Sequence, residues 1–142
     1  MNNAKIRLVG GMQFAGKADS GHEVVMDAPA SVGGEDKGSR PIELLLISFG
    51  GCSGMDVISI LRKKKQDVTD LEINVQGEQA SDYPHKYTSI HIEYLIKGRD
   101  ISEEAVKRSI ELSLDKFCAV GATLGAGAEI THSYSIINEG SS

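Results

Sequence analysis

The sequence predicts an α+β domain with the element order ββαββαβ and antiparallel pairing of its strands. Residues 71–76 and 88–97 alternate apolar and polar side chains with a period of two, which indicates strands buried on one face. The apolar run Pro41–Leu61 and an amphipathic run after Ser102 have the spacing of helices. We expect one domain spanning residues 1–142, because dividing 142 residues would leave two small cores.

The N-terminal part is expected to form a two-stranded hairpin. Residues 6–14 are typical of one strand with a bend or bulge at Gly10-Gly11, and residues 22–27 are typical of the second. Residues 17–21 supply the turn between them. The segment 28–39 contains a proline and three glycines, and we expect a long loop that is functional or mobile.

The central helix is expected to begin at Pro41, since proline fits the first helical position and disfavours helical angles at Arg40. Glu43 can then fold back onto the helix start, as the acidic half of a capping box does. The pattern continues to about Lys65 and is apolar on more than one face, which predicts a buried helix. Three helix-weakening glycines require close packing or close approach of a substrate: Gly50, Gly51 and Gly54.

The C-terminal half is expected to contain two strands joined by a loop at 81–86, one helix and a last strand. One face of the second strand should be buried, and it carries Ile90, Ile92, Tyr94 and Ile96. Ser102 is placed to cap a helix that ends at Cys118. Its apolar stripe comprises Val106, Ile110, Ser113/Leu114 and Phe117. Glycines interrupt the following segment, and residues 129–137 form the last strand.

Composition argues against nucleic-acid and membrane partners. The net charge is −5, and the basic run Arg62–Lys65 falls at a helix end, where cations complement the helix dipole. The first residues have no apolar run suited to a signal peptide, and no stretch is expected to reach the roughly 20 apolar residues of a membrane span. We therefore expect a cytoplasmic protein, whose thiols are kept reduced.

No metal or cofactor site is predicted. The four histidines lack the spacing of metal ligands, and they are His22, His85, His91 and His132. No glycine-rich phosphate loop stands between a strand and a helix, and no serine elbow is present.

The two cysteines lie in apolar, helix-compatible segments. Cys52 is flanked by glycines in Gly50-Gly-Cys-Ser-Gly54, and Cys118 follows an aromatic residue in Lys116-Phe-Cys-Ala-Val120. Such cysteines are commonly inert, small apolar residues. A thiol pair brought together by the fold is the alternative, and spacing alone favours inert cysteines, since buried free cysteine is common.

Three segments resemble the OsmC/Ohr family of thiol-dependent hydroperoxide reductases. They are residues 41–61 with Pro-x-Glu-Leu-Leu-Leu and Gly-Gly-Cys, residues 116–120 with Phe-Cys-x-Val, and residues 129–134. The resemblance extends from about Phe14 to Ile137. It implies an OsmC-like fold with the same element order, antiparallel sheets around a buried central helix, and an intertwined homodimer that buries this helix between subunits.

The resemblance also implies a cofactor-free peroxidase. Cys52 corresponds to the nucleophile, Cys118 to the resolving cysteine, and an external dithiol would be the reductant. Leu46, Phe49 and Met55 make the surroundings of Cys52 apolar, which suits an organic hydroperoxide better than hydrogen peroxide.

The activating groups match the family less well. The resemblance implies an arginine held by a glutamate that directly follows the proline, but an isoleucine stands there and Glu43 comes one residue later. In an unbroken helix Glu43 and Cys52 lie on opposite faces, about 13 Å apart along the axis. The nearest cation is Arg40, with Lys37 and Arg7 as alternatives.

A second function from another class therefore stays open. Asp56 lies one helical turn after Cys52, on the same face, and its negative charge disfavours a nearby thiolate. The alternative is a catalytically weak or inert OsmC-like dimer that acts as a binding, structural or redox-sensing protein.

Overall fold

A computed structural model of the chain describes residues 1–140. The fold divides into two compact units, one comprising Met1–Leu45 and the other beginning at Leu46. Each unit contains one three-stranded sheet, and the α+β class is confirmed.

The first unit contains three strands rather than the expected two. They are β1 (Ala4–Gly10), β2 (Gln13–Ala18) and β3 (Glu23–Met26), paired antiparallel in that order. Gly10 and Gly11 have φ angles of 156° and 53°, which suit a tight turn between strands. The predicted bend within one strand is therefore a hairpin turn, and Lys17 belongs to β2 rather than to the next turn.

Asp27 fixes the start of the long loop 28–39. Its Oδ1 accepts the N–H of Ala28 at 2.7 Å, and its Oδ2 accepts those of Glu35 and Lys37 at 3.2 and 3.1 Å. Gly34 is required here, because a Cβ would lie 1.8 Å from the Ala28 carbonyl oxygen. Hydrogen bonds from the loop's backbone N–H groups to the Asp27 carboxylate thus hold the loop in place. The loop includes one 3₁₀ turn, at Ala30–Val32.

The helix α1 (Pro41–Lys63) begins at the predicted residue. The N–H of Arg40 donates to Glu43 Oε1 at 3.3 Å, which is the predicted back-bond of a capping box. The helix ends two residues earlier than expected, before Lys65, which has a φ of 60°. It continues without a break through the glycine pair at Gly50.

In the second unit, the sheet has the order β4 (Asp67–Gln79), β5 (Tyr87–Arg99) and β6 (Glu129–Asn138). β4 and β5 are antiparallel, and the predicted apolar face of β5 is buried. β6 is parallel to β5, contrary to the expected antiparallel pairing. The helices between them carry the chain back to the start of β5, as a parallel connection requires.

The segment predicted as one helix is divided into two pieces, and a third, unpredicted helix follows it. These are α2 (Glu103–Leu112), a π-helical turn (Ser113–Phe117) and α3 (Ala119–Gly125). Ser102 caps α2 as predicted, its side chain accepting the Ala105 N–H at 3.2 Å. Cys118 ends the π-helical turn and also caps α3. Because α3 includes Gly121 and Gly125, the prediction that glycines break up the segment after Cys118 was wrong.

α1 is only partly covered by its own chain. Within the second unit, Phe49, Ser53, Val57 and Leu61 are buried, whereas Ile47 and Met55 are 60% and 73% exposed. By length and composition α1 could cross a membrane, contrary to the expectation that no stretch approaches this criterion. Core helices of soluble proteins meet the same criterion, and Phe49, Val57 and Leu61 of α1 are fully buried in the core of the second unit.

We predict that Asp27→Asn lowers Tm at neutral pH, because an amide cannot accept hydrogen bonds through both of its terminal atoms. Burial acts to raise the pKa of Asp27, but the three backbone N–H donors and Arg40 together hold that pKa below its usual value of 3.8. The parent should thus lose this stabilisation as the pH falls through the lowered value. Thermal melts from neutral to acidic pH measure both effects.

The exposed Asp19→Asn change is the control for Asp27→Asn, and its melting curves should follow the parent. Equal melting curves for Asp27→Asn and the parent at all pH values would contradict the role given to Asp27.

Candidate thiol site

The fold brings the two cysteines together. Cys52, on α1, is half-buried, and Cys118, at the start of α3, is only 3% exposed. Both are free thiols, and they lie close enough for Cys52 to raise the pKa of the Cys118 thiol. Proximity of the two thiols is a precondition for their conversion to a disulfide.

Backbone contacts on both sides position Cys118. Its N–H donates to the carbonyl oxygen of Ser113 at 2.7 Å, which closes the π-helical turn. Its Sγ accepts the N–H of Gly121 at 3.2 Å and so caps α3. Gly121 has no room for a side chain, because a Cβ would lie 2.9 Å from Phe49 Cε1 and 3.3 Å from Cys118 Sγ.

Cys118 is held in the protonated form. Burial raises the pKa of its thiol to about 11, and the hydrogen bond to Cys52 and the charges of Cys52 and Asp56 act in the same direction. The Gly121 N–H opposes the shift without reversing it. A neutral thiol here matches a resolving cysteine, which acts second, better than an initial nucleophile.

A buried chain of hydroxyl groups lies beside the thiols, and the sequence did not reveal it. Ser53 Oγ lies 2.6 Å from Tyr94 Oη and 2.7 Å from Ser113 Oγ, and Ser113 Oγ donates to Asp56 Oδ2 at 2.9 Å. Burial raises the pKa of Tyr94 to about 12, although its bond to Ser53 acts in the opposite direction. The one signal for these buried hydroxyls in the sequence was the polar residue Ser113, which interrupts the apolar stripe of the predicted helix.

The three apolar residues predicted to contact substrate do not form one surface. Leu46 and Met55 line a groove of about 590 Å³ between α1 and β4, where Gly54 packs closely against Ile73. Phe49 is fully buried elsewhere, against Gly121. The groove therefore supplies an apolar surface on one side of α1, and Phe49 forms part of the packing around Cys118.

Arg40 and Glu43 belong to the first unit, where they are close to each other. The Arg40 guanidinium pairs with Asp36 at 2.7 Å, donates to the Gly38 carbonyl at 3.2 Å and lies 4.0 Å from Glu43. Arg40 and Glu43 thus form an ion pair at the start of α1. Its proposed action on Cys52 stays a prediction.

Lys37 and Arg7, the alternatives to Arg40 as the activating cation, have different neighbours. Lys37 pairs with Glu35 at 3.2 Å, and Arg7 lies on the exposed strand β1.

The histidines do not form a metal centre. Among residues 1–140, no cluster of three potential protein ligands is suitably arranged. His91 lies between the hydroxyls of Thr131 and Ser133, at 2.7 and 2.9 Å. His132 lines a hollow that also includes Gly121, the residue in contact with Cys118 Sγ, so it lies on that side of the thiol site.

Known proteins resemble the chain over most of its length. The model of the OsmC-like protein family matches residues 34–133. Protein YhfA of Escherichia coli strain K12 is 38% identical over 134 residues, covering 94% of this chain and 97% of the relative.

Solved structures share the fold. A hypothetical protein from Aquifex aeolicus VF5 is 32% identical, with a TM-score of 0.86 and coverage of 99% and 98% of the two chains. An organic hydroperoxide resistance protein from Elizabethkingia anophelis has a TM-score of 0.69 at 16% identity, with 96% of each chain covered. At 16% identity, the similarity to the Elizabethkingia anophelis protein establishes the fold alone.

We predict that the pKa of Cys118 stays above the usual thiol value of 9.0 in a Cys52→Ser variant, because burial is the largest cause of its shift. Adding Asp56→Asn should lower the pKa, since a negative charge that opposes the thiolate is removed. The rate of alkylation of Cys118 as a function of pH, followed by mass spectrometry, reports this ionisation.

Asp115→Asn is the matched control, because this exposed carboxylate is not among the groups that shift the pKa of Cys118. If the alkylation rate reaches half its maximum at a pH no higher than the pKa of free cysteine, this would contradict the protonated state assigned to Cys118.

Proposed function

Because this chain belongs to the OsmC-like protein family, we propose that it is a thiol-dependent peroxidase that reduces organic hydroperoxides in oxidative-stress defence. The single observation that carries the proposal is that the fold places Cys52 next to Cys118, where it raises the pKa of the Cys118 thiol. Two neighbouring thiols are suited to reversible oxidation, and the cytoplasm, the compartment we propose for this protein, keeps thiols reduced.

In the proposed first step, the Cys52 thiolate attacks the peroxide oxygen farther from the organic group. A sulfur–oxygen bond forms and the oxygen–oxygen bond breaks, so Cys52 becomes a sulfenic acid and the organic group leaves with the other oxygen as an alkoxide. The alkoxide takes one proton and departs as the alcohol. The sulfur is oxidised by two electrons, and the peroxide is reduced by the same two, so the reaction needs no cofactor.

In the second step, Cys118 resolves the sulfenic acid. Its sulfur bonds to that of Cys52, the sulfur–oxygen bond breaks, and the oxygen leaves with two protons as water. An external dithiol then reduces the Cys52–Cys118 disulfide and becomes oxidised itself. The high pKa of Cys118 keeps this thiol out of the first step, because a protonated thiol is a poor nucleophile.

The groove beside α1 favours an organic peroxide. Leu46 and Met55 contribute apolar surface to it, and no acidic or basic side chain lines it in the described chain. Phe49 adds apolar packing next to Cys118. An alkyl or acyl group gains free energy by leaving water for such surfaces, which hydrogen peroxide cannot do.

We further propose that residues 1–142 form one OsmC-like domain that assembles as an intertwined homodimer. The exposed apolar side chains of α1, Ile47 and Met55, are unusual for the surface of a monomer. A second copy packed over them would cover α1 and leave an enclosed apolar space for the peroxide.

A catalytically weak or inert dimer is the second candidate. Burial and the charge of Asp56 both stabilise the protonated form of Cys118, which opposes thiolate chemistry at this thiol. Such a protein would bind apolar molecules or sense redox conditions without turning over peroxide.

We expect Cys52→Ser to abolish turnover of cumene hydroperoxide, because a serine hydroxyl cannot replace the thiolate. Cys118→Ser should retain the first oxidation but block recycling, so that sulfenic acid or its over-oxidised products accumulate at Cys52. Stopped-flow peroxide consumption and mass spectrometry of Cys52 distinguish these outcomes. A parent protein that loses no thiol with any organic hydroperoxide would exclude the peroxidase and leave the inert dimer.

Arg40→Ala should slow the first step and shift the pH–rate profile upward if Arg40 supplies the activating positive charge. Glu43→Ala should mainly weaken the helix start, by about 0.5–1 kcal/mol, and leave the rate nearly unchanged. Lys37→Ala is the matched loop control. A Glu43→Ala variant that loses its rate while retaining its Tm would show that Glu43 acts in catalysis.

Ile47→Glu combined with Met55→Glu should convert the dimer into a monomer, because two carboxylates would be buried in an apolar interface. Light scattering should give twice the chain mass of 15.2 kDa for the parent and about half that value for the variant. Lys107→Glu on α2 is the control. A parent that is a folded monomer at micromolar concentration would rule out the proposed assembly.

A further inference from the structure

The chain of buried hydroxyls has a single hydrogen-bond direction. The Asp56 carboxylate only accepts, so Ser113 donates its one proton there. Ser53 must then donate to Ser113, and Tyr94 must donate to Ser53. All three hydroxyl-bearing residues are fully buried, so each bond is protected from water and fixes the distance between the elements it joins.

Ser113 connects the two cysteine-bearing segments. Its side chain bonds to Ser53, which directly follows Cys52 on α1. Its carbonyl oxygen accepts the N–H of Cys118 across the π-helical turn. π-helical turns are rare and often occur at functional sites, because their extra residue changes the direction of the following side chains. One residue thus holds α1 through its side chain and Cys118 through its backbone.

We propose that Ser113 is a positioning residue that sets the distance between the Cys52 and Cys118 sulfurs for disulfide formation. The inference rests on the proposed function, since it assigns Ser113 to the resolving step. There, the sulfur–sulfur bond forms as the sulfur–oxygen bond of the Cys52 sulfenic acid breaks, and water leaves. Ser113 touches neither substrate nor reacting sulfur through its side chain and acts by holding the turn in place.

A glutathione redox buffer tests this role without any peroxide. Oxidised glutathione exchanges with the two thiols to give the intramolecular disulfide and two reduced glutathione molecules, so the equilibrium reports how well the sulfurs are placed. Ser113→Ala should lower this equilibrium constant by about tenfold, the effect of one net hydrogen bond. It should also increase trapping of Cys52 sulfenic acid relative to disulfide when peroxide is added.

Ser109→Ala is a matched control. Ser109 is equally buried and lies on α2, but its hydroxyl donates only to the Val106 carbonyl, at 2.8 Å. Its removal should cost similar stability and leave the glutathione equilibrium within about twofold of the parent. If Ser113→Ala does not fold, Ser53→Ala removes the same Ser53–Ser113 bond from the α1 side and should give the same loss.

The outcomes separate the two proposals. A parent that forms the disulfide in glutathione but consumes no organic hydroperoxide would remove the peroxidase function and leave the positioning role of Ser113 intact. Equal equilibrium constants for Ser113→Ala and Ser109→Ala would overturn the positioning role, whatever the peroxidase rate.

Discussion

The contact between α1 and the segment around Cys118 depends on a buried polar junction with no unpaired group. Tyr94 donates a hydrogen bond to Ser53, Ser53 donates to Ser113, and Ser113 donates to Asp56. The Ser113 carbonyl oxygen accepts the Cys118 N–H. An unpaired hydroxyl in such a place would cost about 1–3 kcal/mol. Because every member of the junction is satisfied, α1, β5 and the π-helical turn have one stable arrangement, and the position of the thiols follows from it.

Local patterns predicted the elements but not every connection. The alternation at Ile90 and Tyr94, the proline at the start of α1 and the Ser102 cap each reflect short-range physics, and the structure contains all three. The parallel pairing of β6 depends on where intervening helices return the chain, which no local pattern encodes. The π-helical turn after Ser113 is equally hidden, since its sequence is compatible with a continuous helix.

The candidate site was predicted in part. Family resemblance, not spacing, identified Cys52 and Cys118 as partners, and their proximity in the fold supplies a physical basis. The hydroxyl chain joins residues far apart in sequence, so periodicity could not bring them together. The pairing of Arg40 with Glu43 follows from the helix start, a local feature that sequence reasoning can reach.

The packing at Gly121 has a consequence for sequence divergence in the family. A side chain at this position would meet Phe49 on one side and Cys118 on the other. A larger residue at position 121 is therefore tolerated only after both neighbours have become smaller or moved. Loss of the cysteine alone does not make room for a side chain, because Phe49 remains. Evolution can change these three sites in concert far more readily than singly, so a descendant that abandons the second thiol should still carry the glycine long afterwards.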